Sequence, residues 1–301
     1  MMEEKVIAIS VVIPLFNEEG NIVELYFRLT NVLSNLNKTW EIVFIDNGST
    51  DKTLFLLKEL KEKDERIKII RLIKNFGKNA ALMAGFIYTK GKIVITIAGD
   101  LSEKPEDIPK LLEVLGKGYD VVGSYQLRSK TIIRRFTEWF VYKFTGIKIN
   151  DYRTILRVYR RGVIKMLSQC RERISSIPHL IYWLGVNTTE IKLEDNSRKR
   201  KERWDTIIKE GITLVLSFSP VLLRIVSSTG ILTGVLGMVV GILFIVSGVI
   251  IDYGGLNIGL GIMLFLISIQ LLLSALIGEY LSKMYIQVQG RPYYIIEEVI
   301  E

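Results

Sequence analysis

Two long stretches without a single charge constrain this chain more than any other feature. Residues 225–251 are 27 consecutive positions free of Asp, Glu, Lys and Arg, and residues 256–278 form a second such stretch. At about 1.5 Å of rise per residue, a helix over the first would reach about 40 Å, against about 30 Å of bilayer hydrocarbon. Helices in an ordinary soluble core are much shorter. The linker Asp252, Tyr253, Gly254, Gly255 is too short for a domain, so the pair is expected to form a tight transmembrane hairpin. Gly230, Gly234, Gly237 and Gly241 recur at helical spacing and would let two helices approach closely, which concerns packing and not chemistry.

Charge sets the orientation. No Lys or Arg occurs between Arg224 and Lys283, whereas Arg198, Lys199, Arg200, Lys201 and Arg203 precede that interval and Lys283 and Arg291 close it. By the positive-inside rule both flanks face the cytosol, which predicts a two-span membrane protein with both termini cytosolic. The net charge of +8 is concentrated beside the apolar region, where it suits anionic headgroups better than nucleic acid. The expected organisation is a cytosolic α/β domain at 1–203, interfacial helices at 204–224, the hairpin at 225–282 and a cytosolic tail at 283–301. Cys170 is the single cysteine, so no intrachain disulfide exists. The apolar run 6–15 is interrupted by Pro14 and leads straight into Asn17, Glu18 and Glu19; it reads as a buried strand and not a signal peptide.

Over the first 125 residues, short β-branched runs alternate with helical patterns. Strands are expected at 9–13, 41–45, 67–72, 93–97 and 121–122, and helices at 22–36, 52–62, 79–89 and 106–115. Such alternation, with nearly continuous apolar strands, predicts a mainly parallel sheet covered on both faces. Ligands of such sheets lie beyond the carboxyl ends of the strands. The segments there are 14–18, 46–51, 75–78 and 99–100. Gly48 and a cap from Ser49, Thr50 or Asp51 have plain structural accounts. Asp46 is different: a carboxylate ending an apolar strand is costly unless it binds something polar. No Gly-x-Gly-x-x-Gly or Walker-type loop is present, which disfavours a dinucleotide oxidoreductase or a P-loop ATPase. His179 is the sole histidine, so no histidine pair or triad can be built.

The segments 11–19 (Val-Val-Ile-Pro-Leu-Phe-Asn-Glu-Glu), 45–51 (Ile-Asp-Asn-Gly-Ser-Thr-Asp) and 74–78 (Lys-Asn-Phe-Gly-Lys) resemble family-two inverting glycosyltransferases of the GT-A fold. Asp151, Tyr152 and Arg153 are similar to the Asp-Phe-Arg of the polyprenyl-phosphate branch, which includes dolichyl-phosphate mannose and glucose synthases. The endings 278–281 and 289–293 are similar to that branch after its two spans. The resemblance implies that Pro14, Phe16, Glu18 and Asp46 hold the base and ribose of a nucleotide-sugar donor. It places Asn75, Gly77 and Lys78 beside the donor and Asp100 at the metal-diphosphate end. The family usually carries Asp-x-Asp-Leu-Gln-Asp where this chain has Ala98, Gly99, Asp100, Leu101, Ser102 and Glu103. A Mg²⁺ or Mn²⁺ ion is still expected, held by Asp100 with help from Glu103 and the diphosphate, more weakly than where both acids are present.

The implied reaction transfers one hexose, glucose or mannose, from a UDP- or GDP-sugar to a polyprenyl or dolichyl phosphate with inversion. Its catalytic residues would be Asp100, Asp151 and Arg153. Arg128, Arg153, Arg198, Arg200 and Arg203 would bind the lipid phosphate, because a guanidinium fork pairs with its oxygens. Asp151 would orient Arg153 or serve as a base. Residues 134–142 mix Arg134 and Arg135 with Phe136, Trp139, Phe140 and Tyr142, as a helix at headgroup level would, or as an amphipathic core helix would. A weakly active or inactive relative that binds nucleotide-sugar or lipid is the main rival, and Ala98 is its support. A processive polysaccharide synthase would carry Gln-x-x-Arg-Trp, which is absent. Residues 293–300 read as a strand that would pair with the edge of a second copy, giving a homo-oligomer.

Overall fold

A computed structural model of the protein describes residues 7–126, 154–170, 176–193 and 292–301, with position 143 and isolated helical positions from 259 to 288. The chain divides into two compact units. One comprises residues 1–135, 147–207 and 292–301, and the other residues 136–146 and 208–291.

The first unit is built on an eight-stranded sheet. Its strands are β1 (Ile9–Leu15), β2 (Trp40–Asp46), β3 (Ile67–Leu72), β4 (Ile93–Thr96), β5 (Val121–Gln126), β6 (Arg157–Arg160), β7 (Thr188–Leu193) and β8 (Ile296–Ile300). They lie in the order β7-β5-β6-β4-β1-β2-β3-β8. The four central strands β4, β1, β2 and β3 are parallel, as the alternation predicts. β6 runs antiparallel to β4 and β5, β8 runs antiparallel to β3, and β7 is parallel to β5. The sheet is therefore mixed, with its parallel part at the centre.

Both faces are covered, which is why the central strands carry apolar residues on both faces. Ile9, Val11 and Ile13 join one core with Leu25 and Leu29 of α1 (Ile22–Ser34), Leu57 and Leu60 of α2 (Thr53–Lys63), and Leu111 of α4 (Ile108–Leu115). Val12, Val43 and Ile70 join the other with α3 (Lys78–Ile87), α5 (Arg161–Gln169) and α6 (Ile177–Trp183). Leu25, Leu29 and Val12 are fully buried. Each such side chain stabilises the fold by roughly 1.5–3 kcal/mol. His179 on α6 is fully buried with Nδ1 3.0 Å from Ser176 Oγ, and burial pushes its pKa down to about 4. It is a neutral core histidine.

The C-terminal strand finds a partner in its own chain: β8 pairs with β3, with Ile69 opposite Ile300 and Arg71 opposite Glu298. It is the last strand in the sheet order, so its other side forms the sheet edge.

In the second unit every described position from 259 to 288 is helical. Met263, Ile267, Ile277, Leu281, Met284, Tyr285 and Val288 are exposed there. Among the described residues no helix is long and apolar enough to cross a membrane. The interfacial segment 204–224, the first expected span 225–251 and most of the second lie outside the described residues.

Candidate active site

Because β4, β1, β2 and β3 are parallel and adjacent, their carboxyl ends deliver four loops to one edge of the sheet. In spatial order these loops carry Asp100, Phe16, Asp46 and Asn75. Asp46 stands opposite Leu15 on one side and Arg71 on the other. Two strand spacings separate the Asp46 and Asp100 ends, about 10 Å.

The loops are laced together by side chains reaching backbone. Asn17, at φ 56°, accepts from Thr50 N at 2.9 Å, and its own N–H donates to Ser49 Oγ at 3.0 Å. Glu18 N donates to Thr53 Oγ1, and Glu18 Oε2 accepts from Asn21 Nδ2 at 2.6 Å. Asp51 receives Glu19 N and Thr53 N. The β1 and β2 loops thus form one rigid unit. Asn47 carries the lacing on to the third loop: its Nδ2 donates to Asn75 Oδ1 at 3.0 Å and its Oδ1 accepts from Phe76 N at 3.0 Å. Asn75 Oδ1 also accepts from Gly77 N at 2.8 Å, just before Lys78 opens α3. Lys74 Nζ lies 5.3 Å from the centroid of the Phe76 ring.

Asp46 is fully buried. Its Oδ1 accepts from Ser49 N at 3.0 Å, while Oδ2 has no hydrogen bond and lies 3.8 Å from Arg71 Nε. A buried carboxylate oxygen left in this state is costly unless a ligand supplies a donor. Phe16 is 42% exposed beside it on the neighbouring loop and offers a face for a flat ring. Pro14 is half-buried at the end of β1.

At the β4 end, Gly99 packs on β1 so closely that a Cβ there would fall 2.3 Å from Leu15 Cδ2. The close approach brings the exposed Asp100 against the rim. Asp100 Oδ1 accepts from Ser102 N at 3.1 Å and Ser102 Oγ at 2.6 Å. Leu101 between them holds φ 57°, a left-handed conformation that a bulky residue adopts only when its surroundings impose it. The donor set fits a hard divalent cation bound through one carboxylate and two phosphate oxygens. Among the described residues no cluster of three or more acidic, His or Cys side chains is present, and Asp100 is the acid there that would hold such an ion.

Glu103 has a scaffold role beside Asp100. It is 4% exposed, its Oε2 accepts from Ala98 N at 2.9 Å, and its Oε1 accepts from Ile155 N at 2.6 Å and Leu156 N at 2.9 Å. Both oxygens serve backbone N–H groups, tying the loop after β4 to the chain entering β6. Burial pushes its carboxyl up from the ordinary 4.5 to about 7, against those three N–H groups. A folded-state pKa above the unfolded one means stability fully present below pH 4.5 and lost as pH rises through about 7. The Tm difference between wild type and Glu103→Gln should therefore shrink between these limits, by on the order of 3 kcal/mol in stability. A difference that stays flat in thermal melts across that range would show that the N–H donors keep the carboxylate ionised throughout.

Pro14, Phe16, Glu18, Asp46, Asn75, Gly77, Lys78 and Asp100 thus lie on the strand ends, the loops after them and the start of α3, at one edge of the sheet. Asp151, Arg153, Arg128, Arg198, Arg200 and Arg203 lie outside the described residues. Arg71 escaped the sequence reading, although a cation inside the apolar run Ile69, Ile70, Leu72 was its signal. Asn47 lay in the segment 46–51 singled out at the strand ends, but only the structure shows that its amide joins two loops.

A mixed sheet with a parallel centre, helices on both faces and an acidic rim is the layout of a GT-A-like nucleotide-sugar domain. The glucosyl-3-phosphoglycerate synthase of Mycobacterium tuberculosis, in complex with phosphoglyceric acid, superposes with a TM-score of 0.54 at 20% identity, covering 70% of this chain and 80% of that one. Its complex with Mn²⁺, UDP-glucose and phosphoglyceric acid gives 0.53 at 19% identity, covering 69% and 77%. The glycosyl transferase family 2 model matches residues 10–169. The undecaprenyl-phosphate 4-deoxy-4-formamido-L-arabinose transferase of Pseudomonas aeruginosa (strain LESB58) is 34% identical over 97% of this chain and 90% of its own length. That of Salmonella choleraesuis (strain SC-B67) is 33% identical over 97% and 93%. The chain belongs to glycosyl transferase family 2, in its polyprenyl-phosphate glycosyltransferase branch.

Proposed function

We propose that this protein transfers one sugar from a nucleotide-sugar to a polyprenyl phosphate, with inversion, at the cytosolic face of a membrane. The observation that carries the reading is similarity along 97% of the chain to transferases named for undecaprenyl phosphate. The rim supports the donor half. The buried Asp46 oxygen accepts an N–H of the base, the Phe16 ring packs on its face, and Asn75, Gly77 and Lys78 lie toward the sugar. Asp100 stands where the diphosphate ends, and a divalent cation bound there would offset charge on the leaving group; Mn²⁺ accompanies UDP-glucose in the structurally similar synthase.

The acceptor asks little general-base work of the protein. A phosphate monoester has a second pKa of about 6 and is largely dianionic at neutral pH. One of its oxygens attacks the anomeric carbon as the bond to the nucleoside diphosphate breaks, and no proton need be removed first. What the protein must supply is alignment and charge compensation. Arg153, oriented by Asp151, is assigned to the lipid phosphate, with Arg128, Arg198, Arg200 and Arg203 at the membrane edge. The uncharged stretches 225–251 and 256–278, and the exposed apolar residues at the described helical positions from 259 to 288, support a two-span hairpin.

Glucose and mannose remain the proposed sugars, while the relatives' names carry a 4-substituted arabinose, so the test spans both kinds. Purified protein would be incubated with UDP-glucose, GDP-mannose or nucleotide-linked 4-deoxy-4-formamido-L-arabinose, a polyprenyl phosphate, and Mg²⁺ or Mn²⁺. Mass spectrometry should find a glycosyl phosphopolyprenol with one donor class, and chelation by EDTA should lower its rate. Ala98 favours the second reading, a binding protein without turnover. Nucleotide binding with no product from any donor would establish that reading instead.

A further inference from the structure

The C-terminal strand β8 carries an irregularity beside the rim. Its pairing with β3 runs Ile69 with Ile300, Ile70 with Val299 and Arg71 with Glu298, then shifts so that Leu72 faces Ile296. Glu297 is the extra residue of a β-bulge. The shift explains the packing. Ile300 joins the core on the α1–α2 face with Ile69, whereas Ile296 joins the core on the α3 face with Leu72. In an unbroken strand these two isoleucines, four residues apart, would share a face. The bulge frees Glu297 from the ladder and re-aims its side chain.

It is aimed at Arg71. Glu297 Oε2 lies 3.2 Å from Arg71 Nε, and the same Nε lies 3.8 Å from Asp46 Oδ2. One guanidinium thus stands between two carboxylates and sits closer to Glu297. A charge-assisted Arg–carboxylate hydrogen bond forms at about 2.7–2.9 Å. Arg71 Nε makes a hydrogen bond to neither carboxylate, its ion pair with Glu297 being the closer, and the buried Asp46 Oδ2 keeps its lone pairs for a ligand.

We infer that Glu297 is a positioning residue of the donor site. Bulged out of β8, it holds the Arg71 guanidinium off Asp46, and the segment that re-enters the first unit at residue 292 thereby completes the nucleotide pocket. The inference rests on the proposed role of Asp46 in donor binding. Without the Glu297 charge, Arg71 closes onto Asp46 and occupies the acceptor that the base requires. The site is weakened for binding, while the reacting end at Asp100 is untouched.

Glu298 provides the internal control. It is the next residue of the same strand, and its pair with Lys58 of α2 at 3.2 Å does not involve Arg71. UDP and GDP would be titrated by calorimetry into the purified full chain and into its Glu297→Gln and Glu298→Gln variants, with donor KM and kcat measured alongside. Glu297→Gln should weaken whichever nucleotide the wild type binds by about fivefold, raise donor KM by a similar factor and leave kcat unchanged. Glu298→Gln should change affinity less than about twofold. In an Arg71→Gln background, Glu297→Gln should have no further effect, since the partner it positions is gone. Equal losses in both β8 variants would mean that β8 merely stabilises the sheet edge and would overturn the inference, as would wild-type affinity in Glu297→Gln. Failure of the wild type to bind either nucleotide would remove the donor reading itself and this one with it.

Discussion

Asp100→Ala is expected to lower kcat by about 10²–10³-fold, the usual loss when one preorganised charge-stabilising group is removed. The size follows from isolation. Ala98 contributes no carboxylate, and Glu103 spends both oxygens on the N–H groups of Ala98, Ile155 and Leu156. Among the described residues no group of three or more acidic, His or Cys side chains surrounds Asp100. Its side chain is exposed and buries little, so thermal stability should stay close to wild type. Initial rates at saturating donor and several Mg²⁺ or Mn²⁺ concentrations would measure the effect. A variant that keeps kcat within about threefold would place the diphosphate elsewhere.

The second large effect is expected at Gly48. Its φ is +74°, and a Cβ there would fall 2.5 Å from Lys74 Cα and 2.6 Å from Lys74 C. These are backbone atoms of the neighbouring loop and cannot swing aside as a side-chain tip would. Gly48→Ala therefore combines left-handed strain with a forced separation of the β2 and β3 loops, about 3 kcal/mol together. For a domain of this size that lowers Tm by roughly 10 °C. The same separation stretches the Asn47–Asn75 and Asn47–Phe76 hydrogen bonds, so donor KM should rise as stability falls. If melting and KM both match wild type, the close approach of these loops is not a constraint.

Much of this protein was present in the order of its residues. The β-branched runs that became β1 to β4 are buried on both faces, so their apolar pattern is nearly continuous and legible without a fold. The carboxyl ends of parallel strands lie on one edge wherever the strands are neighbours, which is why Asp46, Asn75 and Asp100 could be named in advance. The uncharged stretches likewise followed from counting charges. Other features depended on contacts between segments far apart in the chain. Glu103 is an acid near an acid by sequence, but the strand entering β6, some 52 positions away, draws its oxygens inward. The run at 293–300 was legible as a strand, but nothing in its alternation says which edge it joins. That choice fell to β3 of its own chain and brought a bulge that turned Glu297 toward Arg71. Local pattern reflects which face of an element is buried, because period and polarity are properties of neighbours in sequence. Which carboxylate meets which guanidinium is set by pairing across hundreds of residues, and only the folded sheet decides it.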